Sequence, residues 1–222
     1  GADGWRAVFE ALRKGACPRL ATPTLGSCNL GPAGGAALAA TLLVGGGCPA
    51  LTELNVSDNG LGDAGFGALA EALGRGACPG MATLYAYSNG LTVLPEALCG
   101  VASLEVLGLR NNDIGSLPHG LLHLARLRRL DIDENPRLAA EHEIVGSTNY
   151  GFKDNDVGAL FAHLRSVHGG EPPPLEGQAN PPADEADLLA AWDTAATADA
   201  LSARVEALLD MQDSIVGMAA SS

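Results

Sequence analysis

Two histidine pairs, His119 with His123 and His163 with His168, are the residues whose type and spacing come nearest to metal or acid–base chemistry. Histidines four apart share one face of a helix, which is how many zinc sites begin, but such sites need a third and fourth ligand at set spacings. Neither pair has a cysteine or carboxylate so placed. Glu141, His142 and Glu143 fall in a stretch without periodicity and read as solvated surface. Gly45-Gly46-Gly47 and Gly31-Pro32 lack the Lys-Ser or Lys-Thr of a phosphate-binding loop. No catalytic residue, metal site or cofactor is expected, and the chain is not expected to be an enzyme.

The remaining chemistry is recognition. Tyrosine and arginine are the types most enriched at binding hot spots, and Tyr85, Tyr87 and Arg110 occur together with the charged residues Glu53, Arg129, Asp131 and Asp133. Their spacing follows an eleven-residue frame seen most clearly as Leu51-x-x-Leu54-x-Val56-x-x-Asn59-x-Leu61. The frame returns as Leu20…Pro23…Leu25…Cys28…Leu30, Met81…Leu84…Ala86…Asn89…Leu91, Leu104…Leu107…Leu109…Asn112…Ile114 and Leu127…Leu130…Ile132…Asn135. Its positions 1, 4 and 6 supply apolar side chains from a short strand, and the Asn or Cys at position 9 turns the chain while bonding neighbouring backbone. Alternation along a strand sends positions 3, 5 and 7 to the opposite face. Those rows read Thr22, Thr24, Gly26; Glu53, Asn55, Ser57; Thr83, Tyr85, Tyr87; Val106, Gly108, Arg110; and Arg129, Asp131, Asp133. The frame predicts adjacent parallel strands over 54–56, 84–86, 107–109 and 130–132, with Leu54, Leu84, Leu107 and Leu130 in one buried column.

This frame resembles that of leucine-rich repeat proteins. The resemblance implies an α/β solenoid with a curved parallel sheet on the concave side and helices and turns on the convex side. Copies begin at residues 20, 51, 81, 104 and 127, so the intervals are 31, 30, 23 and 23. The long copies are similar to the ribonuclease-inhibitor type, with a full helix after the strand, as in Gly62-Asp63-Ala64-Gly65-Phe66 followed by Leu69 and Leu73. The short ones, Leu94-Pro95-x-x-Leu98 and Leu117-Pro118-x-x-Leu121, are similar to the 23-residue type, in which the helix shrinks to a turn or two. The chain opens inside a repeat, because Asp3, Trp5, Leu12 and Cys17-Pro18 align with the helix half that holds Asp63, Phe66, Leu73 and Cys78-Pro79.

Three segments are expected: an N-terminally incomplete solenoid over 1–170, closed by a helix near 156–167; a Pro-rich linker over 171–182; and an acidic helical tail over 183–222. In the tail, Leu188, Trp192, Leu201, Val205 and Leu208 fall mostly at helical spacings and form a candidate contact stripe. Residues 139–155 break the repeat and read as an irregular loop. Of the net charge of −13, residues 171–222 carry −9, with ten acidic residues and one arginine, which leaves −4 for the rest. Neither part offers a basic stripe for phosphates, so nucleic acid and anionic lipid are poor partners. No apolar run is long enough to span a membrane.

Cysteines point to a reducing interior. Cys17, Cys48 and Cys78 share one repeat position before proline, Cys28 takes the Asn position of its turn, and all are read as buried thiols. The count of five is odd and no capping cluster is visible, which places the protein in the cytoplasm or another reducing compartment. The expected function is a non-catalytic interaction scaffold or accessory subunit of a larger assembly, bound to protein partners through the concave face and the tail. Two other roles follow from the resemblance: an activator similar to those of the Ran GTPase, and a substrate receptor of a ubiquitin ligase.

Overall fold

In a computed structural model the chain divides into two units, Gly1–Glu176 and Gly177–Ser222. Structure is described for residues 2–14, 19–43, 48–141 and 157–174, all within the first unit. Four three-residue strands, β1 (Glu53–Asn55), β2 (Thr83–Tyr85), β3 (Val106–Gly108) and β4 (Arg129–Asp131), pair in parallel in sequence order. Leu54, Leu84, Leu107 and Leu130 are register partners across the sheet, and all four are buried. Fully burying one such leucine stabilises a fold by about 1.5–3 kcal/mol.

The strands start one residue earlier than the frame alone predicts. Backbone bonding still runs past their ends, as in Val56 N–H to Tyr85 O at 2.9 Å and Ala86 N–H to Gly108 O at 2.8 Å. The first copy of the frame adds only a single bridge, Thr24 to Asn55. Pro23 stands where the other copies carry Leu, and a proline has no N–H to give to a ladder.

Helices and turns pack behind the sheet. Helices α1 (Ala2–Arg13), α2 (Gly31–Leu43) and α3 (Gly62–Gly74) lie in a row, followed by 3₁₀ turns at Glu96–Gly100 and His119–His123. The backing elements therefore shorten from 13 residues to five as the repeat interval falls. Small residues let α2 and α3 approach: a side chain added at Gly35 would meet Gly65 O at 2.8 Å. Such contact suits a core built from Leu and Ala rather than aromatic residues.

Buried asparagines clamp the turns. Asn112 Oδ1 accepts the N–H groups of Asn89 (2.9 Å) and Leu91 (3.1 Å), while its Nδ2 donates to the carbonyls of Ala86, Leu109 and Arg110. Asn59, Asn89 and Asn135 repeat the arrangement, each reaching back to the preceding turn. Just before each clamp the residue at position 8 adopts a positive φ, between 53° and 57° at Ser27, Asp58, Ser88, Asn111 and Glu134. This left-handed residue takes the chain off the strand and delivers the amide into the turn.

Cys28 departs from expectation. Its thiol is exposed, with Sγ 3.5 Å from Gly26 O. The turn is held from the other side, since Asn59 Oδ1 takes the Cys28 N–H at 2.9 Å. Among the described residues no earlier turn is present for the thiol to clamp. Cys48 and Cys78 are buried and free, whereas Cys17 lies outside the described residues.

Helix α4 (Pro136–Glu141) contains the first residues of the stretch read as an irregular loop, and 142–156 lie outside the described residues. Helix α5 (Val157–His168) buries Val157, Leu160 and Leu164 and packs on the second 3₁₀ turn. There the histidines pack and bond. His119 stacks on His168 at 4.5 Å between centroids and lies 3.0 Å from Gly170 O, and His123 Nε2 lies 2.9 Å from Pro173 O. Among the described residues no three His, Cys, Asp or Glu side chains gather as a metal site, and no helix is long and apolar enough to cross a membrane.

Candidate protein-binding face

The strand face turned away from the helices is built by register. Glu53, Thr83, Val106 and Arg129 form one row, and Asn55, Tyr85, Gly108 and Asp131 form the next. Tyr87 and Arg110 continue beyond β2 and β3. The ladder holds them as neighbours, because Ser88 N–H bonds Arg110 O at 3.1 Å and Asn111 Nδ2 donates to Ser88 Oγ at 2.9 Å.

At the centre the tyrosines are arranged by a missing side chain. The Tyr85 and Tyr87 rings lie 5.5 Å apart, tilted by 35°. Tyr87 extends over the next strand, where a Cβ on Gly108 would stand 2.5 Å from its Cε1 and 2.6 Å from its hydroxyl oxygen. Gly108 is buried under the ring. The Asp131 carboxylate on β4 acts on the hydroxyl and disfavours its ionisation. Burial, followed by the negative charge of Asp131, pushes the Tyr87 hydroxyl up to about 12. Its backbone is fixed as well, since Tyr87 N–H donates to Ser57 Oγ at 3.2 Å. Ser57 is therefore buried beneath the row that alternation assigns to the exposed face.

Arg110 is exposed and ion-paired with Glu134. Its hydrogen bond to Glu134 comes first, then the charges of Glu134, Asp131 and Asp133, in raising the guanidinium above its ordinary range. Arg129 is exposed on β4, and Glu53 is half-buried on β1 at the far side of the sheet. The candidate residues thus divide. Tyr85, Tyr87, Asp131 and Arg110 gather with Asp133 at the β2–β4 side, while Glu53 lies apart. Leu188, Trp192, Leu201, Val205 and Leu208 lie outside the described residues.

Two contributors escape a reading of residue types. Gly108 matters for what it lacks, and Glu134 for the charge it returns to Arg110. A glycine in strand register beside a tyrosine is a visible signal for the first. For the second, position 8 is signalled only by its turn role.

A family model described as Leucine Rich repeat matches residues 47–70, the stretch from Cys48-Pro49 through the Leu51 frame into α3. Together with the parallel sheet and its backing helices, the match supports a leucine-rich repeat protein with an α/β repeat fold. Among curated proteins none matches the chain.

Proposed function

We propose that this leucine-rich repeat chain is a solenoid whose concave sheet face binds a protein partner without catalysis, as a scaffold or accessory subunit of an intracellular assembly. The tail over 183–222 serves as a separate contact, joined through the Pro-rich linker 171–182. The observation that carries this reading is the preordered aromatic pair. Tyr87 is seated over Gly108 with its backbone N–H held by Ser57, and Tyr85 stands beside it on a strand whose backbone is bonded on both sides. Rigid aromatic side chains lose little entropy on binding, and such residues dominate interface energetics. Leucine-rich repeats act widely as recognition surfaces, which agrees with a protein partner.

Photo-crosslinking from a benzophenone amino acid at position 85 tests this. Partner adducts are expected there and not from position 93, where Val93 is exposed beyond the Asn89 turn. Adducts from 93 with none from 85 would move the interface to the other side of the sheet.

A further inference from the structure

Resting on the concave-face reading, the chemistry around the two tyrosines narrows the partner. Around the tyrosines the face carries Asp131, Asp133 and Glu134 against Arg110 and Arg129, three carboxylates to two guanidiniums. Arg110 is already engaged by Glu134. Three carboxylates, Glu134, Asp131 and Asp133, favour the charged form of Arg110, so a cation on this face is stabilised. The Tyr87 hydroxyl meets the same field, in which Asp131 outweighs the opposing charge of Arg129. Asp131 lies in the same row as Tyr85, two strands away, and the Tyr87 ring covers the Gly108 between them. The floor is therefore the pair of tyrosine rings, and its rim is anionic.

We propose that this face accepts a protein segment bearing an arginine or lysine side chain, whose stem and cation lie over the Tyr85 and Tyr87 rings with the Asp131 and Asp133 carboxylates at their edge. Aromatic faces attract cations through the ring quadrupole, and the stem of a long basic side chain covers apolar surface. An acidic segment would have to displace Glu134 from Arg110 and then sit among the remaining carboxylates. Register and charge together favour the basic occupant.

Panning a random dodecapeptide library on the full chain, followed by anisotropy titration of the best synthetic peptide, tests this. Selected peptides should be enriched in arginine or lysine. Asp131→Asn with Asp133→Asn should weaken binding by about tenfold and flatten its salt dependence, as expected on removing charge from the rim of a site. Asparagine is nearly isosteric with aspartate, so the melting temperature should hold. Tyr85→Ala should weaken the same peptide. Peptides without basic enrichment, lost on Tyr85→Ala but indifferent to the two Asn changes, would overturn the cation proposal and leave the concave-face reading standing. Basic peptides indifferent to Tyr85→Ala would be held elsewhere on this acidic chain and would overturn both. Failure to select any peptide would overturn the proposal.

Discussion

The Tyr87 ring occupies the space that a side chain on Gly108 would fill, with ring atoms 2.5–2.6 Å from where that Cβ would stand. Gly108→Ala must therefore displace the ring. Overpacking of this kind costs about 1–3 kcal/mol, which a denaturant titration would read. In a Tyr87→Ala background the same change should cost much less, because the clash is gone. Equal costs in both backgrounds would show that the two residues do not touch.

Alkaline pH should weaken the same region. The Tyr87 hydroxyl is raised from its ordinary value of 10 to about 12, and the buried thiols of Cys78 and Cys99 rise from 9 to about 12. Each group stays protonated longer in the folded chain than in the unfolded one. Stability is therefore full below the unfolded values and declines as pH rises through the window up to about 12. Absorbance at a phenolate wavelength should show a late-ionising tyrosine that Tyr87→Phe removes. If Tyr87→Phe removes an early phase instead, the hydroxyl is not buried over Gly108.

The asparagine clamps carry more energy than any surface ion pair. Removing the Asn112 amide leaves the buried N–H groups of Asn89 and Leu91 without that partner. Each buried polar group so stranded costs about 1–3 kcal/mol, so Asn112→Ala should destabilise by roughly 3 kcal/mol or more. Asn112→Asp, nearly isosteric, should fare no better, since a carboxylate cannot donate to the carbonyls of Ala86, Leu109 and Arg110. A stable Asp variant would mean that the donor half of the clamp is dispensable.

Thiol accessibility separates the cysteines. Iodoacetamide labelling of the folded chain, located by mass spectrometry, should modify Cys28 quickly and reach Cys48, Cys78 and Cys99 only on unfolding. Rapid labelling of Cys78 in native buffer would contradict the packing between α3 and the next strand.

Repetition made the fold legible. Leu54, Leu84, Leu107 and Leu130 stack as the frame requires, and Asn59, Asn89, Asn112 and Asn135 bond backbone at each turn. The frame departs at its first copy, where Pro23 has no N–H to give to the ladder and the Cys28 thiol is exposed, because a frame position does not show what lies beside it. The face was legible as residue types and not as geometry. Alternation brings Tyr85, Tyr87 and Asp131 to one side, but the lock of Tyr87 over Gly108 depends on a ring crossing between repeats. The pairing of Arg110 with Glu134 likewise joins residues 24 apart. Tyr87 is thus partly structural, and Tyr85 is the cleaner probe of binding.

The dissociation constant of the full chain for its crosslinked partner, measured with Tyr85→Ala, tests the binding face most directly. Loss of a hot-spot aromatic predicts weakening by about 2 kcal/mol or more, roughly thirtyfold, with the melting temperature nearly unchanged. Deleting residues 183–222 should weaken binding less than this. An affinity within about twofold of the unaltered chain, below the roughly 1 kcal/mol that marks an interface residue as significant, would contradict the account and place the interface off the sheet face.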